Sequence, residues 1–492
     1  MRLHCFLTTA AVILVTPVSA QPGTNDFTFD PGSGLSGSQP RVLSTSLTPE
    51  GKIIIGGSFT SYNSTTSNNI ACLNIDGDLD TAFNPGNGVG QEFNLLIVSV
   101  NSTAIQFDEK IIIGGNFTRY NDNVRNSIAR INPNGSLDSS FNPGTGTGVL
   151  GGNPINSISL QLDEKIVIGG NFTNYNGTTC NRIARLNTDG SIDNSFNPIS
   201  GANNYIKSIA IQPDGKIIIG GSFTSYDGIM RNHISRLNSD GSLDNEFDPG
   251  TGASGSTPSI NSIAIQPDGK IIIAGQFTTY NGIDRNCIAR LNADGSLDND
   301  FNPGSGATAG VIYSAALQPD GKIIIGGSFT GYDGIIRIRI ARLNADGGID
   351  SSFNPGAGAT GDFTFNRAVH TTTIQPDGRI ILGGNFTNYD NASRNGIARA
   401  TGGITTVAVE NIGETNLEAY PNPTIGTFTI SLDKPNQDLT IFDATGRVVQ
   451  QRSIFNHTGP ITLDLSDQPS GHYLVQVRFS DGTQVRESVV KE

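Results

Sequence analysis

The sequence predicts an all-β fold: a seven-bladed β-propeller closed by its N-terminal strand and followed by a small immunoglobulin-like β-sandwich. Three observations predict it. First, one phrase recurs, a basic residue, three aliphatics, small residues and then Phe-Thr. It starts at Lys52, Lys110, Lys165, Lys216, Lys270, Lys322 and Arg379, and these six intervals average 54.5 residues. Periods of that size mean solenoids, propellers or arrays. Second, a phrase F-[ND]-P closes six of the repeats, at Phe83, Phe141, Phe196, Phe247, Phe301 and Phe353, and is missing from the seventh. Third, the repeat texture stops near Gly403 and a different strand pattern begins at Glu418.

Within one period the strands are legible. "INSIAIQ" (260–266) alternates, and Pro267-Asp268-Gly269 turns the chain. "KIIIAGQFT" reads as a strand buried on both faces. "CIARLN" (287–292), a turn at Asp294-Gly295 and "SLDNDF" complete four antiparallel strands. A four-stranded sheet cannot bury both faces alone, so blades stack, and a ring leaves no open face. The missing F-[ND]-P lies at the other end of the chain, in "NDFTFDPGSG" (25–34), which matches "DNEFDPGTG" after Leu243. Phe29-Asp30-Pro31 is therefore expected to complete the last blade and latch the ring.

The first residues, MRLHCFLTTAAVILVTPVSA, place Arg2 before an apolar run and small residues at Val18-Ser19-Ala20. Residues 1–20 are expected to be a signal peptide. Downstream, no stretch approaches the ~20 apolar residues of a membrane span. The cysteines left, Cys72, Cys180 and Cys287, are odd in number and on non-adjacent repeats, so they read as packed or free thiols. With 31 Lys+Arg against 44 Asp+Glu, the net charge of −13 argues against nucleic acid and anionic membranes as partners.

The repeat "QPDGKIIIGGSFTxYxG…RNxIARLNxDGSLDxxFNPGxG" resembles the delta-60 type bacterial β-propeller repeat over residues 24–403, so 21–403 is read as the propeller. That resemblance implies architecture and no chemistry. Residues 404–417 read as a linker. In 418–492, Tyr420-Pro421-Asn422-Pro423 with Gly426 and Phe428, the "DATGRVV" pair with Gly446, the "GHYLVQV" strand with Gly471 and Tyr473, and Lys491 resemble the type A C-terminal sorting domain of the Bacteroidota type IX secretion system. The resemblance implies that this machinery is a partner, and that the chain is secreted or attached to the outer-membrane surface.

Chemistry is sought where repeats differ. The turns joining strands one to two and three to four share one face of the ring. The two-to-three loops and interblade connections share the other, and they vary. Variable loops on one face usually mark a binding face. Its distinctive side chains are Tyr205, Lys207, Tyr313, Phe363, Phe365 and His370, read as connection-loop residues. No catalytic, cofactor or metal residues are assigned. Acids that break the repeat are few, chiefly Glu92 and Asp362, on different blades, and glycosidic or lyase chemistry needs two positioned groups. The N-x-D-G-S-[LI]-D turns lack the spacing of a calcium loop. The "IARL" arginine recurs in six repeats, which suits pairing with a neighbouring Asp rather than catalysis. The expectation is a monomeric, non-enzymatic propeller that binds an extracellular carbohydrate or protein. A polysaccharide hydrolase or lyase acting at the central mouth is the alternative.

Overall fold

The structure, a computed structural model, describes residues 21–91, 97–148, 153–361, 367–403, 419–421, 424–432, 436–443, 448–453, 459–469, 471–479 and 484–491. The expected signal peptide (1–20) and the linker (404–417) lie outside these residues. The described secondary structure is all β, and no described helix is long and apolar enough to cross a membrane.

Each of seven blades has an inner strand, a central strand and a third strand, antiparallel throughout; in blade 4 these are Ile206–Ile211, Ile217–Gly221 and Ile234–Leu237. The central strand is aliphatic because both its faces are covered, and residues 217–221 are all buried. The expected fourth strand is shorter than the sequence suggests. It is one bridge, such as Leu237↔Leu243, because the next residue, Asp244, turns the chain: its Oδ1 accepts from the Glu246 amide at 3.0 Å. The phenylalanine of F-[ND]-P then tucks back into the core, and Phe247 is fully buried.

The two-to-three loop holds a second device. Its Y-[ND]-G phrase forms a two-residue hairpin; Asn281 (φ 52°) and Gly282 (φ 74°) both take left-handed conformations, as a type I′ turn requires. In blade 5 that hairpin, Thr279–Tyr280 with Ile283–Asp284, pairs with Ala253–Ser254 of the incoming connection. Loops and connections therefore share one face, as expected.

Three interblade bonds recur around the ring. On the inner strands, a Ser hydroxyl accepts the next blade's amide: Ile209 N–H to Ser157 Oγ at 3.1 Å, and Ile263 N–H to Ser208 Oγ at 3.2 Å. Farther out, the "IARL" arginine donates to the next blade's turn, as Arg130 Nη1 does to the Thr188 carbonyl at 2.6 Å. The Asn of F-[ND]-P adds a backbone bond to the same turn, Asn142 N–H to Asp189 O at 2.7 Å. Blade 7 meets blade 1 through a hydroxyl pair on the inner strands, Thr45 and Thr371 at 2.9 Å, and through the recurring arginine bond, Arg399 Nη1 donating to Ile75 O at 2.5 Å.

The arginine also organises its own blade. Arg236 Nε donates to Asp244 Oδ2 at 2.6 Å, Lys216 Nζ reaches the same oxygen at 2.9 Å, and the guanidinium carbon lies 5.2 Å from the centre of the Phe247 ring. Blade 1 has Cys72 in that place, buried and outside any disulfide like Cys180 and Cys287. In blade 7 the acid and the ring come from the N-terminus. Asp26 accepts from Arg399 Nε at 2.7 Å, Phe29 lies 5.1 Å under the same guanidinium, and Asn25 bridges Ala400. The match runs further back than the sequence motif, because Gly23 O accepts from Tyr389 Oη at 2.5 Å, as Gly77 O does from Tyr62.

Burial alone would raise the carboxyl pKa of Asp26, Asp80, Asp138, Asp193, Asp244, Asp298 and Asp350. The hydrogen bonds and cations around each outweigh that and hold all seven below the usual carboxylate range. Such groups stabilise the fold above the unfolded carboxyl pKa, about 4, and lose that contribution as pH falls through the folded values. The melting temperature should be flat from about pH 8 to 5 and fall steeply below about pH 4. A midpoint that holds down to about pH 2 would contradict the pairing.

The C-terminal domain is a sandwich of a three-stranded sheet (Ala419–Tyr420, Thr427–Leu432, Gly459–Asp464) and a four-stranded sheet (Val448–Ser453, Asn436–Asp443, Gly471–Phe479, Gln484–Lys491). Phe428, Ile430, Leu439, Ile441, Val475 and Val489 fill the space between them.

Candidate functional site

The site starts from a local irregularity. Each inner strand shifts register once against its central strand, between Ile206 and Ser208 in blade 4 and between Val369 and Thr371 in blade 7. One residue per blade is thus bulged out of the ladder. The seven are Leu43, Asn101, Asn156, Lys207, Asn261, Tyr313 and His370. Opposite each bulge stands the second Gly of the central strand's small pair. A Cβ on Gly221 would lie 2.0 Å from Tyr205 O, so no larger residue fits where the backbones meet.

Because the inner strands pack on one another around the ring, these bulged residues form a belt at the connection-face mouth of its centre. The belt has two unlike sectors. Through blades 2 to 5 it is closed by bonds that each residue makes to the next blade. Asn101 Nδ2 donates to Ile155 O at 3.1 Å, Asn156 to Ile206 O at 3.0 Å, and Asn261 to Ile312 O at 3.0 Å. Lys207 Nζ reaches Ser259 Oγ at 3.0 Å and Asn261 Oδ1 at 3.1 Å, and burial holds its pKa below the usual lysine value.

Across blades 6, 7 and 1 the amide cap is replaced by Tyr313, His370 and Leu43. The rings of Tyr313 and His370 tilt at 45° with centroids 5.0 Å apart. Burial, and then the charge of Arg41, push the His370 pKa down to about 4, against an opposing hydrogen bond from Asn385, so the imidazole is neutral at physiological pH. Arg41 precedes the bulge of blade 1, and its Nε is buried without a hydrogen-bond partner. Nearby, a cleft of about 720 Å³ runs between blades 1 and 2, lined by Gln39, Thr60, Asn68, Asn87 and Ile97 among others.

Of the six side chains singled out in the sequence, Lys207, Tyr313 and His370 lie on inner strands, not in connection loops, and occupy one equivalent position. Tyr205 is 43% exposed at the edge of the mouth, with the Arg182 guanidinium 5.9 Å from its ring centre. Phe363 and Phe365, like the acids Glu92 and Asp362, lie outside the described residues. The sequence reading missed Arg41, Leu43, Asn101, Asn156 and Asn261. The signal for them was positional: each bulged residue is followed by the Ser or Thr of "x-[ST]" in its repeat.

In the C-terminal domain, Phe428 and Tyr473 are buried, and Tyr473 Oη donates to Pro469 O at 2.6 Å. Gly426 O accepts from the Leu465 amide at 2.9 Å, Gly471 opens its strand, and Tyr420 and Pro421 are exposed. Lys491 is buried; its ammonium donates to Ser466 O at 2.9 Å and to Gln468 O. Asn422, Pro423 and Gly446 lie outside the described residues.

Comparison with known proteins agrees with this architecture. The family described as "Domain of unknown function (DUF5122) beta-propeller" matches residues 48–83, 106–141, 161–196, 212–247, 266–301, 318–353 and 375–401. The family described as "Secretion system C-terminal sorting domain" matches 418–491. No curated protein matches the chain. Among solved structures, PorZ of Porphyromonas gingivalis, an essential surface component of the type-IX secretion system, is 13% identical with a TM-score of 0.39. The extracellular domain of BT3049 from B. thetaiotaomicron is 14% identical with a TM-score of 0.45. Those alignments cover 97% and 92% of this chain, which spans 61% and 55% of the length of those two proteins. Virginiamycin B lyase from Staphylococcus aureus is 14% identical over 75% of this chain and 96% of its own, with a TM-score of 0.44. Likeness this distant says nothing about chemistry.

Proposed function

Because this chain is a DUF5122 beta-propeller repeat protein carrying a type IX secretion sorting domain, and so is a secreted or cell-surface protein, we propose that it is an extracellular recognition propeller. It binds a carbohydrate or a protein, without turning it over, at the connection-face mouth of the ring. One observation carries this reading. The bulged position is Asn in blades 2, 3 and 5 but Lys207, Tyr313, His370 and Leu43 in the other four, while the Ser or Thr beside it repeats in every blade. A residue held only by packing would repeat with its neighbours; one that meets a ligand has reason to differ.

The full chain, printed against glycan and protein arrays, should retain at least one ligand. The double substitution Lys207→Ala with Tyr313→Ala should weaken that ligand about tenfold or more, the usual effect of losing contacts worth over ~1.4 kcal/mol. Incubation with the ligand should yield no cleavage product. Retention unaffected by the double substitution would move the site elsewhere, and a product would replace binding with catalysis.

A further inference from the structure

We infer that the blade 6-7-1 sector of the mouth is a subsite for a carboxylate-bearing sugar, with Arg41 taking the carboxylate and the Tyr313 ring taking the sugar face. The inference rests on the mouth being the recognition site and names its ligand class.

Arg41 carries most of it. The equivalent residues of the other blades are Ser99, Pro154, Tyr205, Ser259, Val311 and Ala368, so this cation belongs to one blade only. The arginines of the third strands each face a carboxylate, as Arg185 faces Asp193 at 2.7 Å. Arg41 makes no ion pair among the described residues, although the chain carries 13 net negative charges. A half-buried guanidinium with one unpaired donor is a costly arrangement that an incoming anion relieves. Arg, with its planar fork of donors, suits a carboxylate in particular.

The rest of the sector selects the carrier of that carboxylate. In blades 2, 3 and 5 an Asn amide spends its donor on the next blade's carbonyl, which closes the mouth there. Blades 6 and 7 put rings in that place, and a Tyr ring offers an apolar face with a polar tip. The neighbouring cleft, which includes Gln39 two residues before Arg41, sets the apolar Phe59, Val89 and Ile97 beside the amides and hydroxyls of Gln39, Thr60, Asn68 and Asn87. Such groups both donate and accept, which fits a chain of sugar hydroxyls better than the backbone of an acidic peptide.

The test is calorimetric titration of the full chain with oligomers of galacturonate, guluronate and glucuronate. Their methyl esters, a neutral cello-oligosaccharide and an oligoglutamate peptide serve as comparisons. At least one uronate oligomer should bind, with its methyl ester and the Arg41→Gln chain each weaker by roughly tenfold or more, the worth of a hydrogen bond to a charged group. Arg41→Lys should recover part of the loss. Since Arg41 makes no ion pair among the described residues and its Nε bonds to none of them, Arg41→Gln should melt no lower than the unsubstituted chain, which separates lost binding from lost folding. Uronate binding indifferent to esterification or to Arg41→Gln, no uronate binding at all, or tighter binding of oligoglutamate would each overturn the subsite. A neutral ligand lost on Tyr313→Ala but not on Arg41→Gln would overturn it while leaving the mouth as the recognition site.

Discussion

Deleting residues 21–34 lowers the melting temperature of the propeller by about 10 °C or more. That follows from ~2 °C per kcal/mol for a domain of this size and a loss well above ~5 kcal/mol. The deletion takes away Phe29, which is fully buried, and truncating a core Phe costs about 3–5 kcal/mol. It also takes away Asp26, leaving Arg399, whose side chain is 2% exposed, without its carboxylate. Removing one member of a buried pair costs about 3–5 kcal/mol, because the other charge stays buried and unpaired. Backbone bonds from Gly23 to Thr401, from Asp26 to Arg399 and from Thr401 to Thr24 go as well. These terms overlap, so their sum is an upper bound. Asp26→Ala alone should lose about 3–5 kcal/mol. Phe107→Ala, at a side chain 78% exposed, should stay within about 0.5 kcal/mol and serves as the control. Calorimetric melting checks all three, and a deletion that melts with the intact chain would show that the N-terminus does not hold the ring.

Gly221→Ala and Gly220→Ala, adjacent and chemically identical changes, have unequal effects. A Cβ at Gly221 meets Tyr205 O at 2.0 Å and Ile206 Cα at 2.9 Å, and both are backbone atoms pinned by the bulge. The strands must separate, at a cost of roughly 3 kcal/mol or more. A Cβ at Gly220 meets Ile260 Cγ2 at 2.7 Å and Ile263 Cδ1 at 2.9 Å, which are the ends of side chains and can give. About 1–2 kcal/mol is expected there. The repeats contain the compensated form already. Blade 5 carries Ala274 at this position, and the facing inner strand of blade 6 has Ala315, in the same core cluster, where blade 5 itself has Ile263. Adding Ile263→Ala to Gly220→Ala should therefore show a favourable coupling of about 1 kcal/mol in denaturant unfolding. No comparable rescue exists for Gly221. Equal losses for the two glycines would refute the close approach on which the mouth geometry rests.

Much of the ring could be read from residues. Asp-Gly turns, aliphatic central strands and the displaced F-[ND]-P phrase each have one physical meaning, and the structure places Phe29 where the phrase implies. Three things escaped. The hairpin in each two-to-three loop was signalled by Asn281-Gly282 and its equivalents, but its partner strand is two residues long and falls in a connection without strand pattern. The fourth strand was overread, since alternation in "SLDNDF" looks the same whether the ladder continues or ends at Asp298. Pro22-Gly23 does not look like an Asp-Gly turn, yet its carbonyls take the bonds such a turn takes: Pro22 O accepts from Asn354 N–H and Gly23 O from Tyr389.

The mouth belongs to the third kind of information. Lys207, Tyr313 and His370 stood out because they differ from their counterparts, but differing places no side chain on a wall or in a loop. A bulge moves one residue out of a period-two pattern, and the strands on either side look regular in sequence. Only the pairing of inner and central strands shows which residue is displaced, and only stacking seven blades makes neighbours of Arg41 and His370, which are 329 positions apart in the chain. Period, strand character and the exchange of ends were written in local residue chemistry. The belt is a property of register and closure, which exist only once distant strands have met.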